Sequence, residues 1–301
     1  MSAEKSPSAG ARLRASYADG CIAMPGVFNA LVAMMAERAG FEGIYLSGAA
    51  LSAASGLPDI GLLSMSEFAE QVRVITAASS LPLLVDADTG FGGPLNLERA
   101  VREFERAGAA AIQIEDQQLP KRCGHLSGKS LVGVEEMEQK IRAAASARLD
   151  GEFVIVARID ARSVEGFEAA VGRARCYLEA GADVIFPEAL ESREELADFH
   201  RSIQAPLLAN MTEFGRSPLL SVTELDQLGY RIALFPVTAF RAAIKAAERA
   251  LEEISRSGSQ GEILDSMQSR AELYDLLGYR GYEERDETYF RRSSGGDDED
   301  S

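Results

Sequence analysis

Basic residues are scarce in this chain. Its 301 residues carry 31 lysines and arginines against 47 aspartates and glutamates, a formal charge of −16 at pH 7. No lysine or arginine run builds the basic face that nucleic-acid phosphates require, so no nucleic-acid partner is expected. Cysteine is nearly as sparse: Cys21, Cys123 and Cys176 are odd in number and scattered. That pattern excludes a disulfide framework and fits a reducing, cytoplasmic compartment. No apolar run reaches the roughly 18–20 residues that cross a bilayer, which excludes a membrane helix. The opening MSAEKSPSAGARLR has no apolar core after its charges, so residues 1–15 read as a flexible leader rather than an export signal. The closing SSGGDDEDS, residues 293–301, cannot bury enough apolar surface to order itself and reads as a disordered acidic tail.

What lies between is ordinary for a globular protein, with 46% hydrophobic residues overall. Length alone leaves open two small domains or one large α/β domain. A recurring unit decides between them: a helix stops at glycine and feeds a short apolar strand, as in ERAGFEGIYLSG, ERAGAAAIQIED, LEAGADVIFPEA and DQLGYRIALFPV. The glycines Gly40, Gly108 and Gly181 recur about every 70 positions, twice a βαβ unit of 30-odd residues, so one more strand should sit in each gap. LPLLVDAD (81–88) and EFVIVARID (152–160) fill those gaps, APLLAN (205–210) precedes the last unit, and CIAMPG (21–26) opens the series. The strands lack alternation, as expected when helices cover a parallel sheet on both faces. Eight β/α repeats predict a (β/α)8 TIM barrel over residues 16–292. Two further helical segments, AFRAAIKAAERALEEI and EILDSMQSRAELYDLLG, predict a C-terminal helical extension.

Barrel enzymes place their chemistry at the C-terminal ends of the strands. Those ends carry Ser47, Asp86 and Asp88, Glu115 and Asp116, Arg158 and Asp160, Glu188, then Asn210 and Thr212. One such residue is as readily a strand terminator as a ligand. Six consecutive strands ending this way predict a shared polar mouth. Asp86 and Asp88, two positions apart, point to one side of an extended strand as hard oxygens suited to Mg²⁺ or Mn²⁺; capping aspartates are the alternative. No cysteine or histidine stands at metal spacing there, which argues against zinc. In IEDQQLPKRCGH, Cys123 is flanked by Lys121, Arg122 and His125, an electropositive setting that eases exchange between thiol and thiolate. An incidental surface thiol is the competing interpretation. Cys21 and Cys176 lie in apolar settings, and His200 sits in a polar helix.

The motifs YLSGAALSAASGLPD, LLVDADTGFGG, IEDQQLPKRCGH, ARIDA and LANMTEFG resemble the isocitrate lyase and phosphoenolpyruvate mutase superfamily. The similarity runs from about Met24 to about Tyr282 and is greatest to the branch that cleaves 2-methylisocitrate. The resemblance implies a (β/α)8 barrel, Mg²⁺ dependence, a C-terminal helix exchanged between subunits and a homotetramer. It implies that Asp86 and Asp88 hold the metal, with Glu115 and Asp59 nearby. By the same resemblance, Cys123 is the catalytic acid on a gating loop that includes Lys121 and His125. Tyr45, Glu115 or a metal-bound water is the candidate base for the substrate hydroxyl, with Tyr45 favoured. Ser47, Gly48, Ala49 and Gly124 would line a tricarboxylate substrate, together with Arg158, Glu188, Asn210, Met211, Thr212, Arg241 and Arg270.

Other outcomes stay open at this stage. Isocitrate lyases resemble the chain but are generally longer, with KKCGH for KRCGH and a tryptophan at the position of Phe186. Phosphonate mutases and oxaloacetate hydrolases or decarboxylases share the barrel and metal but generally lack the cysteine motif. A barrel retained only as an interaction scaffold would be expected to have lost a charged or thiol site residue, and none is lost.

Overall fold

Each apolar run becomes a strand of one parallel sheet. The computed structural model describes residues 6–125 and 128–293. Its strands are β1 (Ile22–Val27), β2 (Ile44–Leu46), β3 (Leu83–Asp86), β4 (Ala111–Glu115), β5 (Val154–Ile159), β6 (Val184–Pro187), β7 (Leu208–Asn210) and β8 (Ile232–Phe235). Neighbours follow the order β6-β5-β4-β3-β2-β1-β8-β7. A parallel bridge between Ile185 and Leu207 brings β6 against β7, so the sheet curls into a nearly closed barrel.

Helix α1 (Ala9–Ser16) precedes the first strand. The crossovers carry α2 (Ala30–Arg38), α3 (Gly48–Ala54), α4 (Met65–Ala78), α5 (Pro94–Arg106), α6 (Val134–Ala147), α7 (Phe167–Ala180), α8 (Arg193–Ser202) and α9 (Val222–Gln227). Beyond β8 come α10 (Thr238–Ser257), α11 (Arg270–Leu276) and α12 (Tyr279–Ser293). Local chemistry sets several boundaries. Ser64 and Glu67 close a capping box on α4, Pro94 opens α5, and Gly181, left-handed at φ +112°, stops α7.

Adjacent strand residues face opposite sides, and both sides are buried. Met24, Tyr45, Leu84, Val156, Phe186 and Leu234 fill the barrel interior. Val85, Ile112, Ile155 and Ile185 face outward into a second core with Phe68, Phe104, Ile141 and Tyr177 of the helices. That double burial is why the strands read as continuous apolar runs.

The expected leader is in part ordered. Residues 1–5 lie outside the described residues, but 9–15 belong to α1, capped by Ser8, whose hydroxyl accepts from Ala11 N. Leu13 and Tyr17 join the interior cluster with Met24, Leu84 and Val154, and Arg14 pairs with Asp183 at 2.8 Å. An eight-residue helix is marginal on its own and forms here because its apolar side is buried against distant strands.

The chain divides into two compact units after Ala242, and the expected C-terminal helical extension lies in the second. No residue from 243 to 290 is buried, so that stretch has no core of its own. The segment EILDSMQSRAELYDLLG is not one helix but a 3₁₀ turn, Gly261–Ser266, followed by α11. The helix α12 extends the extension to Ser293, and the rest of the acidic tail lies outside the described residues. Among the described residues no helix is long and apolar enough to cross a membrane.

Candidate active site

The polar strand ends meet at one mouth around a cavity of about 90 Å³. Its wall includes Tyr45, Ser47, Ala49, Asp59, Asp86, Lys121, Cys123, Gly124, His125, Arg158, Glu188, Asn210, Thr212 and Arg241. Arg122, Phe186, Leu234, Pro236 and Val237 complete it.

One side of the mouth is acidic. Asp86, the last residue of β3, accepts from Gly48 N at 3.0 Å, Asp88 N at 3.2 Å and Gln113 Nε2 at 3.3 Å. Glycine at 48 permits this approach, since a Cβ there would stand 3.0 Å from Asp86 Oδ2. Ser47 caps α3 by accepting from Ala50 N, which sets the first turn of that helix at the mouth. Asp88 is left-handed at φ +49°, a conformation that aspartate tolerates. Lys121 Nζ lies 2.5 Å from Asp59 Oδ1 and 2.6 Å from Asp88 Oδ1. Burial works against that ammonium, but Glu115, Asp88, Asp86 and Asp59 outweigh it and hold the lysine charged. Burial pushes the Asp88 carboxyl up to about 6, opposed in part by Lys121.

Burial also drives Glu115 well above the usual carboxylate range. Its carboxylate is 3.2 Å from Arg158 Nη1, yet neither oxygen accepts an aligned hydrogen bond. Asp59 Oδ1 and Asp88 Oδ1, met by the lysine, are in the same condition. Among the described residues no three carboxylate, histidine or cysteine side chains are grouped tightly enough to enclose a metal by themselves. Buried carboxylate oxygens whose acceptor capacity one lysine and one arginine meet only in part suit a hard cation that keeps several waters and takes one or two carboxylates.

Across the mouth, Arg158 of β5 is the hub. Its Nε is 3.0 Å from Asp160 Oδ2 and 3.3 Å from Glu188 Oε2. The guanidinium lies over the Phe186 ring, 5.4 Å from its centroid. Burial would raise Glu188, but Arg158 and then His125 outweigh it and hold the carboxyl at about 2. Asn210 Nδ2 donates to Glu188 Oε2 at 3.3 Å, and its Oδ1 accepts from Thr212 N at 3.1 Å.

A lid closes the mouth. Gln117 and Leu131 pair in an antiparallel bridge, and Gln118 N donates to Ser130 O at 2.8 Å. Gln117 Nε2 donates to Arg122 O at 2.8 Å, and its Oε1 accepts from Arg122 N at 2.9 Å. Lys129 Nζ donates to Gly124 O at 2.5 Å and to Asp160 Oδ1 at 2.7 Å. His125 Nδ1 accepts from Arg216 N at 3.0 Å, which leaves the ring proton on Nε2, 3.0 Å from Glu188 Oε1. Gly124 is required: a Cβ there would stand 2.4 Å from Arg158 Nη2.

Several expectations need correction. The cations flanking Cys123 do not surround the thiol as free charge, because Lys121 faces Asp59 and Asp88 and His125 faces Glu188. Tyr45 OH donates to Gln113 Oε1 at 2.7 Å, and burial, with Asp86 beside it, drives the phenol well above its ordinary range. In this arrangement the phenol is a donor on the cavity wall, and its role as base stays what the resemblance implies. Met211 points into the outer core, where its sulfur accepts from Leu220 N at 3.3 Å; its neighbours Asn210 and Thr212 face the cavity, as strand alternation requires. Arg270 needs no such correction: it begins α11, exposed in the unit from 243 onward, and its substrate contact stays what the resemblance implies. Gly48, Asp88 and Glu115 stand behind the cavity wall rather than in it.

Cys123 is exposed, whereas burial pushes Cys21 up to about 12 and also raises Cys176. His200 is exposed on α8, as expected. Sequence reasoning missed Gln113, Gln117 and Lys129. Gln113 had a signal, a lone amide within an apolar strand; the other two look like any loop residues.

The model of the phosphoenolpyruvate phosphomutase family matches residues 13–255. The chain is 56% identical over 272 residues to a 2-methylisocitrate lyase of Aeropyrum pernix, covering 90% of this chain and 88% of the relative. It is 50% identical over 265 residues to a 2-methylisocitrate lyase of Bacillus subtilis, covering 88% and 87%. Among solved structures it is similar to a 2,3-dimethylmalate lyase, at 35% identity and a TM-score of 0.86, covering 97% of this chain and 96% of that one. A phosphonopyruvate hydrolase solved with oxalate and Mg²⁺ is 35% identical with a TM-score of 0.86, covering 94% and 100%.

Proposed function

The chain belongs to the phosphoenolpyruvate phosphomutase family, and within it we propose that it cleaves 2-methylisocitrate to pyruvate and succinate. The observation that carries this is the seating of the lid: the Lys121–His125 run lies across a mouth with hard oxygens on one side and Arg158 on the other. Mg²⁺, or Mn²⁺ in its place, held by Asp86 and Asp88 with Asp59 and Glu115 nearby, would bind the substrate hydroxyl and its adjacent carboxylate and stabilise charge developing on the pyruvate side.

Every other role falls to the chain itself. Arg158, Asn210 and Thr212, with Arg241 at the rim, orient the remaining carboxylates. Backbone groups of Ser47, Ala49 and Gly124 approach the substrate closely, and Gly48 N holds Asp86. As the carbon–carbon bond breaks, the hydroxyl oxygen becomes the pyruvate carbonyl and the bonding pair moves to the α-carbon of succinate. Cys123 gives that carbon its thiol proton as general acid, and the proton lost by the hydroxyl restores the thiol. Lys121 and His125 hold the lid against the carboxylates and exclude water. Phe186 and Leu234 form an apolar wall for the substrate methyl, a contact worth about 1–3 kcal/mol of discrimination. The same proposal includes a cytoplasmic homotetramer with an exchanged C-terminal helix; exposed Leu251, Ile254 and Tyr282 support a packing partner for the unit from 243 onward.

The test is product identification with Mg²⁺ and 2-methylisocitrate, isocitrate or oxaloacetate supplied separately. Pyruvate and succinate should form from the first, with the highest kcat/KM, and Cys123→Ser should lower that kcat by about 10²-fold or more. Faster cleavage of isocitrate or oxaloacetate would replace the substrate assignment. Near-parent turnover by Cys123→Ser would remove the thiol from the mechanism.

A further inference from the structure

We propose that Gln117 and Lys129 are positioning residues that together set the place of the Cys123 thiol. Neither side chain reaches the cavity wall, so neither touches a bound substrate. Both hold the backbone on either side of the cysteine. A cysteine side chain has a single torsion before its sulfur, so the thiol goes where the backbone of residues 122–124 puts it.

Gln117 grips the Arg122 peptide at two points, accepting from its N–H and donating to its carbonyl. That is the pattern a neighbouring strand would offer, supplied by one amide. Gln117 is itself buried and fixed by its bridge to Leu131. On the other side, the Lys129 ammonium, 1% exposed, sits between the Gly124 carbonyl and Asp160. Asp160 is anchored in turn: its oxygens accept from Arg158 Nε at 3.0 Å and Nη2 at 3.1 Å, and its N–H donates to Asp116 Oδ1 at 2.9 Å. The lid peptide after Cys123 is therefore tied through one lysine and one aspartate to the guanidinium proposed to orient substrate. Asp160 already has Arg158 as a countercharge, so Lys129 is not needed to neutralise it. What Lys129 adds is the link to the lid.

Positional errors near 1 Å cost about 10²-fold in rate when a reacting group is displaced. The proposal rests on the lyase assignment for its rate assay, and a second readout needs no substrate. Gln117→Leu and Lys129→Met each shorten the side chain by one atom, stay apolar and remove the hydrogen bonds. Each should lower kcat for 2-methylisocitrate by about tenfold or more, with KM and the Mg²⁺ dissociation constant within about threefold of the parent. Amide hydrogen exchange across 118–125 and 128–130 in the ligand-free protein should rise by about tenfold, with the strand amides unchanged. A kcat within twofold of the parent in both variants overturns the proposal, as does a fall accompanied by weaker Mg²⁺ binding or faster exchange throughout the barrel. A parent protein that leaves 2-methylisocitrate intact overturns the substrate assignment instead. Exchange at 118–125 and 128–130 then decides the clamp: acceleration confined to those residues upholds it, and unchanged exchange overturns it.

Discussion

A single methyl group at position 124 measures how tightly the lid must seat. Built on the Gly124 backbone, a Cβ stands 2.4 Å from Arg158 Nη2, 2.4 Å from Glu188 Cγ and 2.6 Å from Glu188 Cδ, where ordinary contact begins at 3.4 Å. The shortfall is about 1 Å. Gly124 is not left-handed, so alanine adds no torsional strain and the whole effect is steric. Neither neighbour can retreat: Arg158 is held by Asp160 and Glu115, and Glu188 is buried beside His125. The lid must therefore rise by about that distance and take Cys123 with it. Misplacement of about 1 Å costs about 10²-fold, equivalent to about 2.7 kcal/mol of transition-state stabilisation. Gly124→Ala should lower kcat by about 100-fold, measured as pyruvate release coupled to lactate dehydrogenase, while the barrel core and its melting temperature stay close to the parent. Gly133→Ala is the control, since a Cβ there meets nothing within 4 Å. A kcat for Gly124→Ala within threefold of the parent would show that the lid does not rest on Arg158 and Glu188 during turnover.

Deleting residues 1–16 withdraws fully buried Leu13 from the barrel interior, and at about 1.5–3 kcal/mol for one such side chain the urea-derived stability should fall by at least about 1.5 kcal/mol. An unchanged unfolding midpoint would mean that α1 does not dock. Glu188 gives a pH signature: its folded pKa of about 2 lies below its ordinary 4.5, so its stabilisation is present above pH 4.5 and is lost as pH falls towards 2, on the order of 3 kcal/mol. Urea unfolding of the parent and Glu188→Gln between pH 2 and 6 should show the variant losing less stability over that window. Parallel curves would refute the pairing with Arg158. Asp116 acts with the opposite sign in the parent and variant alike: burial, with Asp160, raises it to about 6, so it favours the fold at low pH and loses that effect as pH rises towards 6.

The strands and the mouth were legible in the sequence for one reason. Parallel strands buried on both faces read as unbroken apolar runs, and polar residues just past them have only the barrel mouth to face. The same period of two could also have excluded Met211: with Asn210 and Thr212 facing in, Met211 must face out. What the sequence hid depends on partners far along the chain. Helix α1 looks like a loose polar leader until Leu13 and Tyr17 meet Met24 and Val154. Lys121, Arg122 and His125 look like an electropositive cradle because they adjoin Cys123 in sequence, but Lys121 and His125 are turned to Asp59, Asp88 and Glu188, residues brought close only by barrel closure. Lys129 shows the limit most sharply. In SGKS it resembles any solvated loop lysine, yet its ammonium is buried against Asp160 and the Gly124 carbonyl. A charge becomes informative once its countercharge is known, and in this mouth each countercharge comes from a different strand or loop. The excess of carboxylates over cations on the Asp86 side follows from the same geometry, and it is the electrostatic ground on which a divalent cation is proposed there.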